Sequence, residues 1–253
     1  MFERFGERYG LVQALCLSGF ISEGKKCLDR AVSLAETLKH PHSLAFVLQN
    51  VMLVHQVTGD YEAVQQVGQR LIDLSEKYNF PPQRAHALLL CGWARAVGQD
   101  SDAGLELMEA EYPRASAMGP LFRCYAALLA EARAKVGRVS DALTLLRSAL
   151  DTVTEPGIGV FVPELYRLQG MCLLRLDSHN EEEAMSSLQM AVDTAKQQNA
   201  TLFQLKAAIN MANAASSMGQ PKRGLQPLRN LCANLPEGFN APQLAEAKRL
   251  LSS

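Results

Sequence analysis

The stretch Cys91-Gly92-Trp93-Ala94-Arg95-Ala96-Val97-Gly98-Gln99-Asp100-Ser101-Asp102-Ala103 decides the fold. It runs from a small residue in an apolar helical pattern, through a glycine, to a second small residue twelve positions on. One helix ends at the glycine, which enters the left-handed region without a Cβ penalty. A second helix starts just after it, and the two form an antiparallel pair. Small side chains at both marks let the two backbones approach closely. A leucine there would cost about 1–3 kcal/mol in overpacking.

The figure recurs along the chain. Turn residues fall at Gly19, Gly59, Gly98, Gly137 and Gly219, with Asp177 in the fifth place, at spacings of 40, 39, 39, 40 and 42. Small residues follow each turn at Gly24, Ala63, Ala103, Ala142, Ala184 and Gly224. The long spacing absorbs two extra residues near His179-Asn180. Further series lie at Ala31, Ala110, Ala149 and Ala191, and at Cys91, Ala130, Gly170 and Ala212. The distance of 12 residues between small residues in most units resembles the tetratricopeptide pattern, with the period lengthened from its usual 34 to near 40.

Composition agrees with this reading. The 253 residues hold 38 Leu and 33 Ala against 26 Val, Ile and Thr, which favours helix throughout. Hydrophobic residues make up 48%, enough to bury a core. Net charge is −1, which disfavours a globally basic nucleic-acid binder.

The expected architecture is an all-α, right-handed solenoid of about six helix pairs in a single domain over residues 1–253. Repeats run roughly 8–39, 42–79, 83–118, 121–155, 162–199 and 201–235, with a capping helix within 241–251. The first helix of the first repeat falls at 8–18, and residues 155–162 form the longest irregular link.

Other motifs are weaker. Gly19-Phe20-Ile21-Ser22-Glu23-Gly24-Lys25-Lys26 approaches a phosphate loop, but Lys26 replaces the metal-binding hydroxyl and the segment before it reads as helix, not strand. The histidines His40, His42, His55, His86 and His179 show no metal-ligand spacing, and those of His40-Pro41-His42 read as capping or exposed residues at an inter-repeat turn. No nucleophile elbow is present. Cys16, Cys27, Cys91, Cys124, Cys172 and Cys232 form no C-x-x-C pair and read as buried free thiols of a reducing, cytoplasmic setting. Residues 40–59 carry no formal charge, yet Pro41, Gln49, Asn50, His55 and Gln56 make them a buried helix and not a membrane span. The charged opening at 2–8 argues against a signal peptide. Trp93 reads as core.

In such arrays the first helices line the concave surface, the groove expected to bind. Counting back from each turn places Gln13, Gln49, Gln56, Arg95, Glu131, Lys135, Glu164, Arg167, Arg175, Lys206 and Asn213 on it, and Asn210 joins them as a candidate. Lys206, Asn210 and Asn213 share one helix face, in a pattern suited to holding a carboxylate. No catalytic residues, metal or cofactor are expected. Neither is a nucleic acid or membrane partner.

Several stretches resemble a known family: His40-Pro41-His42-Ser43-Leu44-Ala45-Phe46, Asn79-Phe80-Pro81, Gly92-Trp93-Ala94, Leu128-Leu129-Ala130-Glu131-Ala132, Glu164-Leu165-Tyr166-Arg167-Leu168-Gln169-Gly170 and Glu237-Gly238-Phe239 with Leu244 and Ala247-Lys248. They are similar to the C-terminal tetratricopeptide region of large bacterial signalling proteins. Those proteins carry a class III nucleotidyl cyclase or winged-helix domain, then an ATPase of the AAA/STAND type. The resemblance covers roughly residues 10–251. The repeat register with no catalytic grouping reads as a non-enzymatic interaction module, binding a protein partner or a neighbouring domain through its concave face. The alternative is a small-molecule effector sensor controlling an attached ATPase or cyclase, suggested by the mixed lining near Glu131, Glu164 and Arg167. No cyclase or ATPase residues are present in this sequence to carry those activities over.

Overall fold

The computed structural model describes residues 19, 21–98, 100–117, 122–153 and 159–252. Among them are twelve α-helices and no strand. In chain order these are α1 (Ile21–Thr37), α2 (Pro41–Thr58), α3 (Tyr61–Tyr78), α4 (Pro81–Gly98), α5 (Ser101–Ser116) and α6 (Phe122–Lys135). They continue with α7 (Val139–Asp151), α8 (Val162–Leu176), α9 (Glu181–Gln197), α10 (Thr201–Ser217), α11 (Pro221–Ala233) and α12 (Leu244–Ser252). The all-α, solenoid-like helical repeat expected from the sequence is what the chain adopts. The helix expected over 8–18, with Cys16 and Gln13, lies outside the described residues, as does most of the link at 155–162.

Local chemistry accounts for the boundaries. Asp60 and Asp100 cap α3 and α5 by accepting hydrogen bonds from the Ala63 and Ala103 amides, at 3.2 and 3.3 Å. His40 caps α2 through the Ser43 amide, at 3.2 Å. Gly59, Gly137 and Gly219 adopt positive φ as expected (76°, 88° and 72°). Gly98 does not. It is the last residue of α4 and lies against the Tyr61 ring, where a Cβ would make an ordinary contact at 3.4 Å. Asp177 is extended, at φ −161°. The chain uses its two extra residues in a short 3-10 turn, Ser178–Asn180, in place of the left-handed step. The turns between repeats bend through Lys39, Asn79 and Asn199, all left-handed at φ 50–56°.

The small-residue register needs one correction. The buried position is the fourth residue of each second helix: Gly24, Val64, Gly104, Ala142, Ala184 and Gly224. Ala63 and Ala103 precede it and are only half-buried, because the aspartate caps use their amides at the helix mouth. In the third repeat the facing residue is therefore Gly92, not Cys91. A Cβ on Gly104 would lie 2.3 Å from the Ala96 nitrogen and 2.6 Å from the Gly92 carbonyl oxygen. Gly170 meets the Ala184 carbonyl, and Gly224 meets Ala212, in the same way. Ala110 is exposed, and Glu111 takes the buried place beside it.

The residues group into two compact units, 22–138 and 139–252, the second including residues 19 and 21. In the first unit α2, α3, α4, α5 and α6 pack in chain order. The first helices also stack, α2 on α4 and α4 on α6. No comparable packing joins α3 to α5 among the described residues. In the second unit α7 to α11 pack in order, and α8 stacks on α10. The final helix α12 packs on both α10 and α11, with Ala247 fully buried in their core. That is the expected cap. The uncharged segment at 40–59 is α2, whose Ala45, Leu48, Met52, Leu53 and Val54 are core residues. No described helix is long and apolar enough to cross a membrane.

Candidate functional site

The first helices present the candidate surface, and buried polar bonds tie them together. In the first unit His86 on α4 reaches both neighbours. Its Nε2 lies 3.1 Å from the Gln49 carbonyl oxygen on α2, and its Nδ1 lies 2.8 Å from the Tyr125 hydroxyl on α6. A carbonyl can only accept, so Nε2 carries the proton and Nδ1 accepts from the tyrosine. Burial pushes the imidazole down to about 4, which keeps it neutral at pH 7. Trp93 of α4 is 3% exposed and donates from Nε1 to Glu131 of α6 at 2.7 Å. The Tyr61 ring packs on the indole at 5.3 Å.

In the second unit Glu164 and Arg167 of α8 meet Lys206 and Asn210 of α10. Arg167 donates from Nε and Nη2 to the two carboxylate oxygens of Glu164, at 2.7 and 3.0 Å. Lys206 Nζ reaches the same carboxylate at 2.5 Å, and Arg167 Nη1 donates to Asn210 Oδ1 at 2.8 Å. Lys206 also sits 5.7 Å above the Phe203 ring, which packs against Phe161. Burial pushes the Glu164 carboxyl up, but the two cations together outweigh it and hold the group at about 2.

The structure sorts the sequence candidates into two sets. Glu131, Glu164, Arg167, Lys206 and Asn210 serve these ties. Arg95, Lys135, Arg175 and Asn213 are exposed, and Gln49 is half-buried. Gln56 is buried, with no hydrogen bond to its Oε1. The carboxylate expected beside Lys206 is the chain's own Glu164. Arg95 touches Asp100 at 3.2 Å, and Asn213 approaches Glu246 at 3.5 Å. Sequence reasoning missed His86 and Tyr125 as partners. A signal existed: the tied residues are one repeat apart, separated by 39 (His86, Tyr125), 38 (Trp93, Glu131), 42 (Glu164, Lys206) and 43 positions (Arg167, Asn210).

Among the described residues no group of three or more His, Cys, Asp or Glu could hold a metal ion. Cys91, Cys124 and Cys172 are buried, and burial pushes the first and last up to about 11. Cys27 corrects the expectation of buried thiols: it lies on the outer side of α1 and is exposed.

No known protein-family profile matches the chain. It is similar to an uncharacterised protein of Rhizobium meliloti (strain 1021), with 24% identity over 217 residues. That match covers 83% of this chain and 20% of the relative. The chain thus spans about a fifth of the length of the curated relative it matches.

Proposed function

We propose that this chain is a non-catalytic docking module of a larger bacterial signalling protein. In this reading it takes a protein partner, or a neighbouring ATPase or cyclase domain, on its first-helix faces. The observation that carries the reading is the stacking of first helices in each unit, locked by the His86, Trp93 and Arg167 ties. Helices held in register this way form a platform whose ordering cost is met on folding and not on binding. The much longer relative supports a modular setting. The alternative, an effector sensor, draws no support from Glu164, Arg167 and Lys206, which are bonded to one another.

Site-specific photo-crosslinking in the parent cell tests the reading. A probe at Lys135 or Asn213, on first helices, is expected to capture a defined partner. Probes at Met190 or Leu34, exposed on second helices, are expected to remain silent. Capture from the second-helix positions alone would overturn the proposal. Arg167 is a poor probe position because its replacement strikes a buried network.

A further inference from the structure

We infer that the first-helix faces take a partner segment rich in Asp and Glu. This rests on the docking reading above and adds the partner's chemistry. The ground is a partition of charge. Helices α2, α4, α6, α8 and α10 together carry eight Lys or Arg and two acidic residues. The second helices α1, α3, α5, α7, α9 and α11 carry eleven basic and sixteen acidic residues. In a chain of net charge −1, composition alone does not produce that split.

The basic excess holds within each unit taken by itself. In the first unit, α2, α4 and α6 bear five cations and a single acid, Glu131. Two of those cations turn back toward second helices: Arg84 pairs with Glu76 on α3, and Arg133 with Glu109 on α5. Glu131, the single acid, is taken up by the Trp93 bond. Arg95 and Lys135 stand exposed in the last turns of α4 and α6, helices that stack side by side. The Arg95–Asp100 pair is about half exposed on both sides, so it contributes little and yields readily to a partner carboxylate. In the second unit Arg167 and Lys206 are taken up by Glu164, and Arg175 stands exposed in the last turn of α8.

A nucleic acid is the other polyanion, and the rings argue against it. Single strands bind by stacking bases on open aromatic faces. Trp93, Tyr125 and Phe203 are buried, and Phe46 and Tyr166 are half-buried, so none of these offers such a face. An acidic peptide needs no stacking platform. Electrostatic complementarity of this kind steers encounter and weakens with salt.

The test uses the full chain and fluorescently labelled probes in anisotropy titrations. The probes are peptides of matched length and hydropathy, one strongly acidic, one neutral and one strongly basic, with a single-stranded oligonucleotide beside them. The acidic peptide is expected to bind best and to weaken as salt rises. Charge reversal at Arg95→Glu with Lys135→Glu is expected to weaken it by about tenfold or more, whereas Lys222→Glu on α11 should change it less than about twofold. Circular dichroism checks that each variant remains helical. Preference for the neutral or basic peptide, or for the oligonucleotide, overturns the acidic assignment. So does equal loss in the Lys222 variant, or no binding of any probe. If the neutral or basic peptide binds and the Arg95/Lys135 variant loses it, docking on the first helices stands and only the acidic assignment falls.

Discussion

Glu164 concentrates the residue-scale energetics. The residue is 6% exposed, and its charge is sustained by Arg167 and Lys206. With its carboxyl at about 2 in the fold against about 4.5 when free, the folded state binds the proton less well than the unfolded one. Stability from this group is complete above about pH 4.5 and is lost as pH falls toward 2, by roughly 3 kcal/mol in all. Glu164→Gln leaves two cations without their carboxylate and is expected to cost about 3–5 kcal/mol at pH 7. Urea unfolding across pH 2–6 checks this, because the variant should lose that acid-dependent segment. His86 adds a separate one. Its imidazole titrates near 4 in the fold against 6.5 when free, so its contribution disappears between those values as pH falls. Tyr125→Phe removes the donor to Nδ1 and should destabilise by about 1–3 kcal/mol. The same urea series measures it, and an unchanged midpoint would mean the bond contributes nothing.

At the scale of elements, the pairing of α4 with α5 makes the sharpest case. Alanine is a better helix former than glycine by about 1 kcal/mol, so propensity alone predicts that Gly104→Ala stabilises. Packing predicts the reverse. The new Cβ would press on the backbone of Ala96 and Gly92, at distances no rotamer change relieves. We expect a net destabilisation of about 1–3 kcal/mol, read as a fall in melting temperature. A rise would show that the two helices part without cost. Second helices differ from first helices in how they are tied. Arg147 on α7 pairs with Glu183 on α9, and Arg223 on α11 pairs with Glu182 on α9, all at the surface. Such pairs contribute little each. The first helices have buried polar bonds and apolar stacking instead, and they are the helices to which the proposed docking is assigned.

At the scale of the whole chain, burial separates thiols of the same chemical type. Cys91, Cys124 and Cys172 are enclosed, Cys232 is partly covered and Cys27 is open. Native protein treated with a maleimide is expected to label at Cys27 first and to spare the enclosed three until denatured, as peptide mass mapping will show. The order of helices was legible in the sequence, because a period near 40 in glycine and small residues repeats six times and each repeat must bury the same face. Helix ends came within a few residues, because Asp60, Asp100, Gly59 and Gly137 act locally. Local pattern failed where two helices had to choose between adjacent residues, as with Ala103 and Gly104. It failed again at the candidate surface. The sequence placed Glu164, Arg167, Lys206 and Asn210 on first helices, but helix periodicity says nothing about which polar groups one repeat apart will bond. Only the stacking of α8 on α10 turned four apparent surface residues into a network, since a buried charge must be paired with the side chains that the neighbouring helix brings to it.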